Sequence, residues 1–280
     1  MRYATFRQDG RLGLAASAGA GFHGRLAGDP DYPGSLADLL RDGALLAAGP
    51  GLLSGPALDL AAVELLPPIP GPGKILCIGL NYAEHSAETG HALAGYPEVF
   101  ARFASSLAGH GAAIRRPAVS AQLDYEGELA VVIGRGGRGI APADALAHVA
   151  GYSVFNDATI RDYQFRTRQW TMGKNFDGTG AFGPFLVAPD ELPAGARGLR
   201  LRTRLNGALL QDASTASLVF DVAALISLLS EVMTLDPGDV IVTGTPSGVG
   251  FTRTPPLFMA PGDVVEVEVE GIGTLRNPIV

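Results

Sequence analysis

Between Leu123 and Gly134 the chain reads LDYEGELAVVIG, and this stretch narrows the possible folds more than any other. Leu129 to Ile133 is an unbroken apolar run, the pattern of a buried strand. Glu126 and Glu128 stand at its head, two residues apart. Alternate residues of a strand point to the same face. Two carboxylates therefore stand side by side at the mouth of a buried element. Either a bound cation or a solvated strand end makes that arrangement tolerable.

Strand signals dominate elsewhere too. MRYATF and RLGLAAS read as strands around a turn at Asp9-Gly10. SLADLLRDG reads as a short helix capped by Ser35, with Gly43 past its end. The Pro/Gly-rich LLPPIPGPG then reads as a linker. It divides a small N-terminal domain, residues 1–70, from a catalytic domain, residues 71–280. Beyond it, KILCIGL, ELAVVIG and GYSVFND read as strands, and APADALAHVA as a short helix. DVAALISLLSEVM gives the clearest helix: Val222, Ile226, Leu229 and Met233 recur at helical spacing, and Asp221 can cap it. VIVTG is a further buried strand. VVEVEVEG alternates strictly, with Val265, Val267 and Val269 on one face and three glutamates on a solvated one. The fold class is α+β with a β-rich core, and 38 Gly and 20 Pro suit its many turns.

The formal charge of −7 and the absence of any basic run beyond Arg115-Arg116 argue against nucleic acid. With Cys77 alone, an internal disulfide is impossible, and a small buried hydrophobe is its ordinary role. The N-terminus lacks an apolar signal core, and Gly43 to Leu65 is broken by glycines and prolines. No membrane span is expected, and the cytoplasm is the expected compartment.

Several residues can carry chemistry. Asp157 ends the GYSVFND strand, so it can converge with Glu126 and Glu128 on one cation. All-oxygen ligation favours a hard ion, Mg²⁺, with Mn²⁺ or Ca²⁺ also suited; an ordinary acidic surface is the alternative. His85 and Glu88 lie three apart in GLNYAEHSAETG, one face of a helix, where a carboxylate can orient an imidazole as a base. A surface pair is the alternative. His148 with Asp144, and His91 with Glu88, read as surface contacts. His23 and His110 fall in Gly-rich loops. Lys174 stands in a Gly-flanked polar loop and can stabilise an oxyanion; a solvent-facing lysine is the alternative. TGTPSGVG, from Thr243 to Gly250, can hold a carboxylate or be an ordinary turn, and it lacks the Gly-Lys-Ser/Thr of a nucleotide P-loop. GRGGRG has dinucleotide-site spacing, but Pro142 falls where the helix must already run, so a plain loop is expected.

Taken in order, KILCIGLNYAEHSAETG, DYEGELAVVIG, GYSVFNDATIRDYQ, QWTMGKNFDGTGAFGP, the long block from LNGALLQDASTASLVF to TGTPSGVG, and PGDVVEVEVEGIGTLRNPI resemble the fumarylacetoacetate hydrolase family over roughly residues 70–280. The resemblance implies a mixed β-sandwich roll, a homodimer, and bound Mg²⁺ or Mn²⁺. Residue by residue, Glu126, Glu128 and Asp157 match the metal carboxylates. His85 and Glu88 match the dyad that activates water, on a segment that in relatives forms a lid. Lys174 matches the lysine beside the metal, and Arg161, Gln164 and Thr245 match polar residues around the substrate head group. Arg102 departs from a lysine common in relatives, and its guanidinium can bind a substrate carboxylate bidentately.

The expected reaction is metal-dependent hydrolysis of a C–C bond in an acylpyruvate-like 2,4-dioxo acid, with His85 as base and Lys174 beside the oxyanion. Isomerisation or decarboxylation of a related oxo-dienoate, or of oxaloacetate, needs the same enolate stabilisation without attacking water. A non-catalytic binding protein is the reading of another class.

Overall fold

The computed structural model describes residues 1–19, 21–90 and 95–280. Among the described residues, the main strands are β1 (Arg2–Gln8), β2 (Arg11–Ser17), β3 (Phe22–Leu26), β4 (Ile75–Gly79), β5 (Glu98–Arg102), β6 (Gly127–Ile133), β7 (Val149–Asp157), β8 (Gly180–Val187), β9 (Arg200–Leu205), β10 (Ala208–Ser214), β11 (Val240–Val242), β12 (Val264–Val269) and β13 (Gly273–Pro278). The helices are short: α1 (Leu36–Arg41), α2 (Leu45–Leu53), α3 (Ala83–Glu88), α4 (Arg161–Gln164), α5 (Thr171–Lys174) and α6 (Val222–Val232).

One large mixed sheet runs β3-β2-β1-β8-β7-β6-β11-β4-β5. Its pairs are antiparallel except β11 with β4, where Val240 faces Ile75 in parallel register, and a two-residue strand, Leu107–Ala108, beside β8. A second sheet, β10-β9-β12-β13, packs on one face of the first. The alternation along β6 shows why the strand is apolar throughout. Leu129, Val131 and Ile133 join the core shared with Val265, Val267 and Val269 of β12. Ala130 and Val132 join the opposite core, covered by Leu36, Leu39 and Leu45 of the N-terminal helices. A strand buried on both faces has no place for a polar face.

The local signals act as expected in most places. Asp9 and Gly10 both take positive φ, the backbone of a tight primed hairpin turn between β1 and β2. Ser35 Oγ accepts from the Asp38 N–H, and Asp221 Oδ1 from the Ala224 N–H. β1 pairs with β8 through Arg2–Val187 and Tyr3–Leu186, so the N-terminal strands extend the same large sheet.

Three expectations need correction. APADALAHVA forms one 3₁₀ turn, Ala145–His148, because Val149 must already pair with Ile133 as β7 begins. His148 is buried, with Nδ1 2.7 Å from the Arg135 carbonyl, so it braces that loop instead of meeting Asp144 at the surface. His23 lies in β3 and not in a loop. His91 lies outside the described residues. GRGGRG leads into no helix N-terminus, so a dinucleotide cradle is absent there. Among the described residues, no helix is long and apolar enough to cross a membrane.

Candidate active site and metal centre

The ends of β6 and β7 bring three carboxylates together. Gly127 pairs with Asn156 in antiparallel register, so Glu126 and Glu128 flank the position where Asp157 ends its strand. Glu126, Glu128 and Asp157 are all buried, and each offers a ligand oxygen within 4.8 Å of the others. A solvated acidic surface is therefore excluded.

Such a cluster needs cations, and the chain supplies some of them. Lys174, placed by α5, sets its Nζ 2.8 Å from Glu126 Oε2 and 2.6 Å from Asp157 Oδ2. Arg161, the first residue of α4, places Nη2 2.6 Å from Glu126 Oε1, although the angle there is too poor for a hydrogen bond. Its Nε donates to Asp124 Oδ2 at 2.8 Å and its Nη1 to Gln164 Oε1 at 2.8 Å. Arg102 donates to Asp157 Oδ1 from behind. Four carboxylates, counting Asp124, thus meet three cationic side chains. Among the described residues, Glu128 is the one without a cation of its own, and the Gly244 N–H donates to it.

The proton affinities follow. Burial, then Asp157 and Glu126, push the Glu128 carboxyl well above the usual range. Burial also works to raise Glu126, but Lys174 and Arg161 outweigh it and hold Glu126 low. Burial, and less strongly the Arg161 charge, work to lower the Lys174 ammonium; Asp157 and Glu126 prevail and raise it. A buried trio of hard oxygen donors with one carboxylate uncompensated fits a divalent cation. The same residues that sequence marks as metal ligands would hold it.

The dyad sits across the cleft. α3 places His85 and Glu88 on one face, with Nδ1 3.2 Å from Glu88 Oε2. Glu88 is fixed in turn by the Gly248 N–H at 3.0 Å and the Thr252 hydroxyl at 2.9 Å. Burial works against the Glu88 charge, but the bonds from His85, Gly248 and Thr252 hold its carboxyl below the ordinary value. A carboxylate only accepts, so Nδ1 carries the proton and Nε2 is free to act as base.

His85, Glu126, Glu128, Arg161, Gln164, Lys174 and Thr245 line one cleft. Its other wall is aromatic, with Phe100, Phe165, Trp170 and Phe251. Phe100 stands 4.9 Å from Lys174 Nζ, and Phe251 lies under the Arg161 guanidinium at 4.3 Å. Arg102 is elsewhere. Its guanidinium is committed to Asp157, Ser106, Thr179 and the Ala158 carbonyl, so this placement does not support a substrate-facing role.

The TGTPSGVG loop does hold carboxylates, and they are the protein's own: Gly244 N–H on Glu128, Gly248 N–H on Glu88 and Gly250 N–H on Asp124. Sequence reasoning missed Asp124, though it shares the spacing of Glu126 and Glu128. It also missed Gln211, whose Nε2 donates to Thr245 Oγ1 and whose Oε1 accepts from Gly127. Gln211 carried no local signal, since it arrives from the second sheet.

The chain is similar to known proteins over nearly its whole length. Residues 74–280 match the family described as fumarylacetoacetate (FAA) hydrolase, C-terminal. A Xenopus laevis protein named oxaloacetate tautomerase fahd2, mitochondrial, is 41% identical over 275 residues, covering 96% of this chain and 86% of that protein. The solved fumarylacetoacetate hydrolase of the psychrophile Exiguobacterium antarcticum superposes with a TM-score of 0.86 at 39% identity, covering 100% of this chain and 99% of that one. A 2-hydroxyhepta-2,4-diene-1,7-dioate isomerase from Mycobacterium marinum gives 0.78 at 33% identity, covering 100% and 98%. Similarity this extensive, in sequence and in structure, makes the chain an enzyme of the fumarylacetoacetate hydrolase family.

Proposed function

We propose that the enzyme moves a proton beside the carbonyl of a 2-oxo dicarboxylic acid, interconverting the keto and enol forms of oxaloacetate or a close analogue. One observation carries the reading: His85, oriented by Glu88, shares a cleft with Glu126 and Glu128. The names of the relatives support proton transfer over the C–C hydrolysis that the sequence alone favoured.

Glu126, Glu128 and Asp157 would hold Mg²⁺ or Mn²⁺, which supplies Lewis-acid polarisation of the 2-oxo group. The remaining work falls to the chain. His85 Nε2 takes a proton from C3 as the C2–C3 double bond forms, and passes that proton to the 2-oxygen to give the enol, which leaves the imidazole neutral again. The reverse steps return the keto form. The Lys174 ammonium and the Arg161 guanidinium set a positive field where the oxygen gains charge. Gln164 and Thr245 border the head-group end and orient it. Phe100, Trp170 and Phe251 keep water from the base, which favours returning the proton to substrate over hydrolysis. The proposed assembly is a homodimer, measurable by sedimentation.

The test follows decay of enol-oxaloacetate by ultraviolet absorbance, using metal-stripped protein before and after adding Mg²⁺ or Mn²⁺. A keto-specific dehydrogenase traps the product. Acceleration that needs the cation supports the proposal. Pyruvate release from acetylpyruvate without enol decay would return the site to hydrolysis, and pyruvate formed from oxaloacetate would identify decarboxylation.

A further inference from the structure

Arg102 lies off the cleft wall, yet it reaches the acidic cluster from behind. Its side chain and that of Asp157 are both fully buried. Nη1 donates to Asp157 Oδ1 and, at 3.3 Å, to the Ala158 carbonyl; Nη2 donates to Thr179 Oγ1 at 2.8 Å and Nε to Ser106 Oγ at 3.2 Å. A lysine, with one compact ammonium, has no such fork. Thr179 Oγ1 itself donates to the Phe176 carbonyl, and Ser106 Oγ to the Phe103 carbonyl, so both anchors are held in place.

The oxygens of the cluster can then be accounted for one by one. Asp157 Oδ1 faces Arg102 and Oδ2 faces Lys174. Glu126 Oε1 faces Arg161 and Oε2 faces Lys174. Glu128 Oε2 accepts from the Gly244 N–H. Among the described residues, Glu128 Oε1 faces no protein cation and accepts no hydrogen bond, whereas Glu126 Oε1 faces the Arg161 guanidinium without a hydrogen bond. A cation that gripped both oxygens of Asp157 would sit against the Arg102 guanidinium. With Oδ1 held by Arg102, Asp157 has only Oδ2 to turn toward the centre, where Glu128 Oε1 is already open. Ca²⁺ takes six to eight oxygens and commonly grips carboxylates through both; Mg²⁺ accepts single oxygens and keeps waters.

We propose that Arg102 is a positioning residue that holds Asp157 as a one-oxygen ligand, so that the cluster accepts Mg²⁺ or Mn²⁺ and discriminates against Ca²⁺. The inference rests on the metal reading of the cluster and not on the identity of the substrate.

The test is calorimetric titration of the metal-stripped protein with Mn²⁺ and with Ca²⁺. The wild type is expected to bind Mn²⁺ more tightly by about tenfold or more, and Arg102→Met to shrink that ratio by about tenfold, as loss of a ligand-orienting group does. Arg102→Lys should fall between. If Arg102→Met fails to fold, the Ser106→Ala/Thr179→Val pair frees the guanidinium without deleting it and should shrink the ratio in the same direction. A merely structural Arg102 would lower stability and leave the ratio alone. Equal binding of the two ions by the wild type, or an unchanged ratio in every folded variant, would overturn the proposal. Binding of neither ion would overturn it together with the metal part of the proposed function. Selective Mn²⁺ binding without enol turnover would sink the substrate reading alone.

Discussion

Lys174 Nζ lies 2.6 Å from Asp157 Oδ2, and both side chains are closed off from solvent. The ammonium thus supplies positive charge that a cation held by the same carboxylates would share. Deleting it by Lys174→Met leaves Glu126 and Asp157 short of positive charge in a dry environment. The metal-stripped variant should lose about 3–5 kcal/mol of stability, the cost of breaking a buried pair. Saturating Mn²⁺ should recover part of that loss. Urea unfolding with and without the ion checks both halves; an equal loss in the two conditions would refute the shared role.

The proposed function makes His85 the base and not a ligand. His85→Ala should lower turnover by about 10²–10⁴-fold, the usual worth of general acid–base catalysis. Mn²⁺ affinity should stay within a few-fold of wild type. Steady-state rates and calorimetry on the same preparation separate the two effects, and normal turnover would rule out the assignment.

Glu88 carries a pH signature. Its folded-state carboxyl is held below the ordinary value by His85, Gly248 and Thr252, against the opposing effect of burial. A depressed carboxyl stabilises fully above its unfolded pKa, roughly 4.3, and loses that contribution as pH falls through the folded value. Glu88→Gln should therefore melt below wild type at neutral pH, with the gap closing as pH is lowered past that range. Thermal melts of both proteins across the acid range measure it; a gap independent of pH would contradict the linkage.

Gly250 tests how tightly the loop is packed. A Cβ there would stand 1.9 Å from the Leu257 carbonyl oxygen and 2.5 Å from Asp124 Oδ1. Neither neighbour is the end of a flexible chain. Gly250→Ala should cost about 1–3 kcal/mol through overpacking. It should also raise KM more than it lowers kcat, because Asp124 aligns Arg161 at the head-group end. A variant with wild-type stability and KM would show that the loop yields.

Much of this was legible in the sequence because the relevant signals are local. Strict alternation in VVEVEVEG places Val265, Val267 and Val269 in the core, while Glu266 and Glu268 meet Arg276 and Arg204 outside. The spacing of Glu126 and Glu128, with Asp157 ending a neighbouring strand, foretold the cluster. What stayed hidden depends on partners distant in sequence. Arg102 faces Asp157, 55 residues on, and nothing near it signals that it points behind the cluster. His148 looked like a surface residue beside Asp144, until the loop at Arg135 folded over it. The helix in APADALAHVA yielded to a sheet pairing that propensity does not register. The sequence favoured hydrolysis over proton transfer on the His85/Glu88 pair, but that pair does not decide between them, since both chemistries can use the same base.

The loop from Thr243 to Gly250 grips Glu128, Glu88 and Asp124 through three backbone N–H groups within seven residues. It therefore works as a ruler: one segment spaces Glu128 of the acidic cluster, Glu88 behind His85 and Asp124 beside Arg161. A displacement of that ruler would carry all three together and keep their mutual distances. Side-chain changes around the cleft can then retune which substrate fits while the reacting geometry travels as a unit. The same linkage makes defects in the loop report at three places at once, so paired substitutions across them should combine non-additively.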